Sequence, residues 1–245
     1  MRYSDKTFND RNPVKRFVQR RRLGDALSVL DGLGEDFSGR VLDFGGGSGE
    51  LSAAVAGRFP GAEVVCYEPT PSILREAEES LSGLGNAKPV GSLREVGGKR
   101  GFDYVFCLEV FEHLPPRQTA RVVRRVRRLL RDGGTVVVGV PNELFLPALF
   151  KGLFRMTRRY GAFDARPGNV LRAVVGRPPG NRPVKKIAAG LPYHFHHTGF
   201  DYRELRAVLS DTFEVVRQFG SPIRSELASS EVYFVLRAPD RGPRP

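Results

Sequence analysis

A short apolar strand, Val41-Leu42-Asp43-Phe44, runs straight into Gly45-Gly46-Gly47-Ser48-Gly49 and then into a helical pattern beginning near Glu50. So abrupt a strand-to-helix reversal needs residues without Cβ, both for the turn and for close approach of a ligand to the backbone. The helix start beyond it offers unpaired N–H groups. The rhythm continues through 40–140. Apolar runs predict strands at Arg40–Phe44, Glu63–Tyr67, Ala87–Val90, Tyr104–Leu108 and Thr135–Val140, with helices at Glu50–Arg58, Ser72–Ser80 and Arg117–Arg131 between them. That alternation is the mark of a parallel sheet covered by helices on both faces, an α/β architecture. Further on, Asp201 with Glu204 forms a capping pair for a helix to Ser210, and Phe213–Phe219 and Val232–Leu236 read as two strands able to pair antiparallel. Seven strands are expected.

The turn fails the dinucleotide pattern G-x-G-x-x-G, because Ser48, Gly49 and Glu50 follow Gly45-x-Gly47. Asp43, two residues before the first glycine, would repel a pyrophosphate. A ligand with a positive centre and no phosphate would tolerate it, and S-adenosylmethionine is one. Glu68 at the tip of the second strand, nineteen residues past Gly49, occupies the place where a carboxylate accepts hydrogen bonds from ribose hydroxyls.

VLDFGGGSGEL, YEP, FDYVFCLEVFEHL and the helix ending LLRDGG resemble successive motifs of the class I S-adenosylmethionine-dependent methyltransferases, especially the ubiquinone-pathway group. The likeness covers about residues 38–140 and resumes weakly at 194–237. It implies a Rossmann-like seven-stranded sheet in the order 3-2-1-4-5-7-6, with a basic insertion after strand 5. It also implies that Asp43, Gly45, Gly47 and Gly49 wrap the methionine moiety and that Glu68 holds the ribose. Ser92 and Leu93 would flank the adenine, where the family usually has an acidic residue and this chain has Gly91-Ser92-Leu93; Leu108 and Glu109 would lie beneath the methionine part. Glu109-x-x-Glu112-His113 resembles a string associated with a divalent metal in that group, but the string also occurs in methyltransferases without one, and no metal is expected here.

On this reading the chain divides into an N-terminal basic helical segment (1–39), a cofactor-binding core (40–140), a basic lid or substrate insertion (141–195) and a C-terminal helix and strands completing the sheet (196–238), with a frayed tail from Pro239. The net charge is +12, and residues 141–190 carry 10 basic against 2 acidic groups, a local +8. A field so localised attracts an anionic partner. Pro141, Pro147, Pro167, Pro178, Pro179, Pro183 and Pro192 punctuate the insertion, and only Leu144–Tyr160 reads as helix. In it Lys151, Arg155, Arg158 and Arg159 share one face, and Phe145, Leu146, Leu149, Phe150, Leu153 and Phe154 fill much of the rest. Such a helix serves as a lid with its apolar side over the site and its arginines in water, as a contact with an anionic membrane surface through 144–160, or as both. No run is apolar enough to span a membrane, Met1 to Arg22 lack a secretory h-region, and Cys66 and Cys107 sit in strand-like runs. A cytoplasmic protein, peripheral to the membrane if the helix docks there, is the resulting expectation.

Direct displacement at a sulfonium carbon requires alignment of the nucleophile and, for a hydroxyl, removal of its proton. His113 and His197 are the candidate catalytic residues; His194 and His196 crowd the second. The chain lacks the Asn/Asp-Pro-Pro-aromatic motif of amino-methylating nucleic-acid enzymes and a Pro-Cys nucleophile. O- or N-methylation of a small molecule, anionic or lipid-like, is the leading expectation. The alternatives are an RNA methyltransferase binding phosphates with the insertion and Lys15, Arg16, Arg20, Arg21 and Arg22, and a binding protein that keeps the fold without catalysis.

Overall fold

The computed structural model describes residues 13–97, 101–186 and 192–240. Residues 1–12, the side chain of Lys15, and the end of the tail at 241–245 lie outside the described residues. A first helix, α1 (Pro13–Leu27), precedes the sheet. Then β1 (Arg40–Phe44), α2 (Glu50–Arg58), β2 (Glu63–Tyr67), α3 (Pro71–Leu81), β3 (Ala87–Val90), β4 (Phe102–Leu108), α4 (Pro116–Leu129) and β5 (Leu130–Pro141) alternate as expected. After β5 come α5 (Phe145–Arg159), α6 (Pro167–Val174), a small ribbon of β6 (Lys185–Lys186) and β7 (Pro192–Tyr193), then α7 (Tyr202–Ser210), β8 (Glu214–Ser221) and β9 (Glu231–Arg237).

The main sheet has seven strands in the order β3-β2-β1-β4-β5-β9-β8. With the ribbon set aside, this is the expected 3-2-1-4-5-7-6. β9 runs antiparallel between β5 and β8. Alternate strand residues face opposite sides, as a pleated strand requires. Leu42, Val65, Val105 and Val136 pack with α4 and α7 in one core, whereas Val41, Val64, Phe106 and Val137 pack with α1 and α2 in the other. Both faces being covered explains why these strands read as unbroken apolar runs.

Two expectations need correction. The fourth helix does not run to Arg131 and stop at a glycine pair: it ends at Leu129, and Leu130 already pairs with Phe102 in the sheet. Residues 131–134 bulge before pairing resumes at Thr135 opposite Tyr104, and Gly133, at φ +71°, supplies the left-handed step. The insertion also contains a second helix, α6. It is one residue over two turns and opens with Pro167 at its first turn, too short for its periodicity to stand out.

Candidate active site at the C-terminal edge of the sheet

The strand order makes β1 and β4 neighbours at the point where connections diverge, and a cavity of about 760 Å³ opens beyond their C-terminal ends. The glycine turn forms one wall. Gly45, Gly47 and Gly49 adopt φ values of +81°, +58° and +88°. The Gly45 and Gly46 amides donate to the Tyr67 carbonyl at 2.8 and 3.0 Å, tying the turn to β2. A Cβ on Gly46 would sit 2.6 Å from Cys66 Sγ and 2.8 Å from Asp43 Oδ2, so the cradle admits no side chain there.

Asp43 is buried and accepts a hydrogen bond from Ser52 Oγ at 2.9 Å. Burial raises its carboxyl to about 7, against the pull of Ser52. Glu68, also buried, accepts from the Thr70 amide at 2.7 Å and the Gly47 amide at 3.3 Å. Burial pushes it above the usual carboxylate range, opposed by those amides. Each of its oxygens keeps a free lone pair for a ligand hydroxyl. Leu93, Leu108 and Glu109 line the same cavity. Ser92 does not: its hydroxyl donates to Glu95 at 2.5 Å, while Arg125 holds the loop by donating to the Leu93 carbonyl at 2.8 Å.

At the other end His113 stacks on Tyr193 with ring centroids 4.3 Å apart, and His197 stands edge-on to it at 4.9 Å. The two imidazoles, 84 positions apart in the chain, are joined by the insertion folding back. His113 Nδ1 lies 2.8 Å from the His194 carbonyl, which can only accept, so Nδ1 carries the proton and Nε2 the lone pair. Burial lowers His113 to about 4 and His197 to about 3; Glu143 draws His197 upward but does not prevail. Both are neutral at physiological pH, and the His197 ring makes no hydrogen bond among the described residues. His194 and His196 turn away, the first to the Pro183 carbonyl and the second toward Asp164. The sequence shows no carboxylate beside the histidine cluster; the fold brings Asp164 and Glu112 to it.

Glu112 is buried, neither carboxylate oxygen has a hydrogen-bond partner among the described residues, His113 Nε2 lies 3.5 Å from one of them, and burial raises the Glu112 pKa. Ligand atoms of Glu112, His113 and His197 lie within 4.8 Å of one another. Glu109 does not join them. Held at φ +55°, it faces Arg22 of α1 at 3.5 Å, and Arg22 also bonds Glu231. Gln19, Arg22, Leu23, Tyr193 and Tyr233 complete the walls. None was legible in sequence as a site residue. Only the basic cluster Arg20-Arg21-Arg22 hinted at one of them, and Arg22 meets Glu231 across 209 positions.

The family described as "Methyltransferase domain" matches residues 42–136. Trans-aconitate 2-methyltransferase of Methylobacterium radiotolerans is 31% identical over 137 residues, 56% of this chain and 50% of that one. Ubiquinone biosynthesis O-methyltransferase of Paracidovorax citrulli is 34% identical over 124 residues, 48% of this chain and 50% of its own. The chain thus spans about half the length of the curated relatives it matches. Among solved structures, the N-methyltransferase NodS of Bradyrhizobium japonicum with S-adenosylhomocysteine shares the fold at a TM-score of 0.58 and 14% identity, covering 94% of this chain and 90% of that one. A Burkholderia thailandensis 1,6-didemethyltoxoflavin N1-methyltransferase, bound to its namesake compound and S-adenosylhomocysteine, gives a TM-score of 0.58 at 17% identity, over 96% and 85% of the two chains.

Proposed function

From the premise that residues 42–136 form a class I S-adenosylmethionine-dependent methyltransferase domain, we propose that the chain transfers a methyl group to an oxygen or nitrogen of a small molecule, anionic or lipid-like. One observation carries this reading: a single cavity joins the glycine cradle, Asp43 and Glu68 at one end to His113, Tyr193 and His197 at the other. The residues fit the cofactor. The cradle leaves no room for a Cβ at Gly45 or Gly46, Asp43 offers a counter-charge, and Glu68 offers carboxylate oxygens for ribose hydroxyls. When bound, S-adenosylmethionine supplies an electrophilic methyl on a sulfonium.

This chain's residues would do the rest. The His194 carbonyl fixes the His113 ring, and that ring with Tyr193 forms a flat wall against which an acceptor can be oriented. His197, neutral and without a hydrogen bond, would accept the acceptor's proton at a ring nitrogen. Arg22, reaching in from α1, would hold Glu109 beside the donor and close the cavity from water. Trans-aconitate and ubiquinone-pathway methyltransferases being among the relatives supports a carboxylated or lipid-like acceptor. The RNA reading has no comparable support among these relatives.

Calorimetry with S-adenosylhomocysteine tests the donor site: micromolar binding that Glu68→Ala abolishes is expected, and wild-type protein that takes up no heat would end the proposal. Labelled cofactor offered separately with a small-molecule extract and with total RNA then tests the acceptor. Label in the extract is expected. Label in RNA alone would replace the reading with the alternative.

A further inference from the structure

The cationic side of α5 faces inward. Buried Glu143 accepts from Lys151 Nζ at 3.1 Å and from Arg155 at 2.7 and 3.0 Å, and Arg155 also donates to Thr198 at 2.7 Å. Asp164, equally buried, takes Arg159 at 2.5 Å. Satisfying two buried carboxylates therefore turns the rest of the helix outward. Leu146, Phe150, Leu153 and Phe154, at i, i+4, i+7 and i+8, form one continuous apolar stripe, with Phe150 67% and Phe154 61% exposed. The neighbouring α6 exposes Leu171, and Val175, just past its end, is exposed too. None of these stripe residues lines the cavity, as the apolar side of a lid would.

We propose that this face docks on an anionic lipid bilayer, with the α5 stripe entering the headgroup region. Charge decides the occupant. Glu143 and Asp164 are the two acidic residues of 141–190, and both are buried and ion-paired. Among the described residues of 141–186, nothing that is exposed carries a negative charge, and the exposed cations are Arg158, laid over the Phe154 ring at 5.4 Å, Arg159, Arg166, Arg172, Arg177, Lys185 and Lys186. Anionic headgroups satisfy the cations while acyl chains take the leucines and phenylalanines. A second copy would set these cations against its own, and a nucleic acid would leave the aliphatic side chains in water. Docking does not depend on which acceptor is methylated. That it brings a lipid-like acceptor to the cavity, whose wall includes Pro192, Tyr193 and His197, rests on the function proposed above.

The chain has no tryptophan, so Phe154→Trp gives a site-specific reporter. Its emission should shift to the blue with phosphatidylcholine vesicles containing phosphatidylglycerol, and not with phosphatidylcholine alone. Phe150→Ser/Phe154→Ser should lose at least about tenfold in vesicle co-sedimentation while binding S-adenosylhomocysteine as the wild type does, which separates docking from folding. If cofactor binding is absent in both proteins but the vesicle result stands, the methyltransferase reading fails and docking survives. Three results would overturn docking: no emission shift with anionic vesicles, a shift that appears with rising protein concentration or added RNA instead, or undiminished co-sedimentation of the double variant.

Discussion

Asp43 shows how burial tunes a single residue. The folded chain holds its carboxyl at about 7 because burial penalises the charge. Between about pH 4 and 7 the unfolded chain releases this proton while the folded chain keeps it. Asp43's contribution to stability therefore falls as pH rises through that window and levels off above it. A cationic cofactor favours the ionised form, so S-adenosylmethionine should bind nearly tenfold more tightly at pH 8 than at pH 6, by about the change in ionised fraction. Calorimetry at the two values checks this, and in Asp43→Asn the difference should vanish while affinity drops about 10- to 100-fold. His197 behaves oppositely, since burial lowers it to about 3 and its imidazole is already neutral across that range. His197→Ala should cut kcat about 10²- to 10⁴-fold with cofactor affinity unchanged. Equal loss in both would assign His197 to packing. That Asp43, Gly45, Gly47 and Glu68 line one end of the cavity could be read from the sequence because they sit at strand tips whose positions follow from the strands. Ser92, expected beside them, does not line the cavity, and its hydroxyl bonds Glu95, three residues on.

At the scale of elements, α5 carries the sharpest departure from what its pattern suggested. The segment was recognisable as an amphipathic helix, but amphipathicity does not say which face is inside. Burial pushes the Glu143 carboxyl up, and Lys151 and Arg155 overrule it, holding it at about 2. The pairing is thus a strong anchor rather than a surface contact. Glu143→Ala would strand both cations in a half-buried setting and should destabilise the protein by about 3 kcal/mol, seen as a fall of roughly 6–12 °C in Tm. A fall under about 2 °C would mean that α5 is held by its packing on α6, where Val170 meets Gly152. Strands were easier to place than helix ends. Six of the seven main-sheet strands emerged as apolar runs within two residues of their start, whereas β5 begins at Leu130, five residues before the Thr135 expected, because its first residue pairs across a bulge that no local pattern announces.

For the whole molecule, α1 matters most. It is distant in sequence from β4 and β9, yet Arg22 bonds Glu231 and faces Glu109, and the Arg22 carbonyl accepts from the Tyr233 hydroxyl at 3.1 Å. Cofactor filling the cavity should therefore tie α1 to the sheet. At 100 times its Kd the ligand adds about 2.7 kcal/mol, a Tm rise of roughly 5–10 °C in differential scanning fluorimetry. Arg22→Ala should lower that rise, and RNA should produce none. By itself the sequence determined the alternation, the strand order that its motifs imply and the glycine turn with its two carboxylates at one end of the cavity, because periodicity and a Cβ-free turn are local properties. Only the tertiary structure decided which histidines meet, which cation of α1 reaches the cavity wall and which face of α5 meets water. Those outcomes depend on buried charges finding partners many positions away, and a carboxylate such as Glu143 must be neutralised where the fold puts it, whatever the neighbouring pattern prefers.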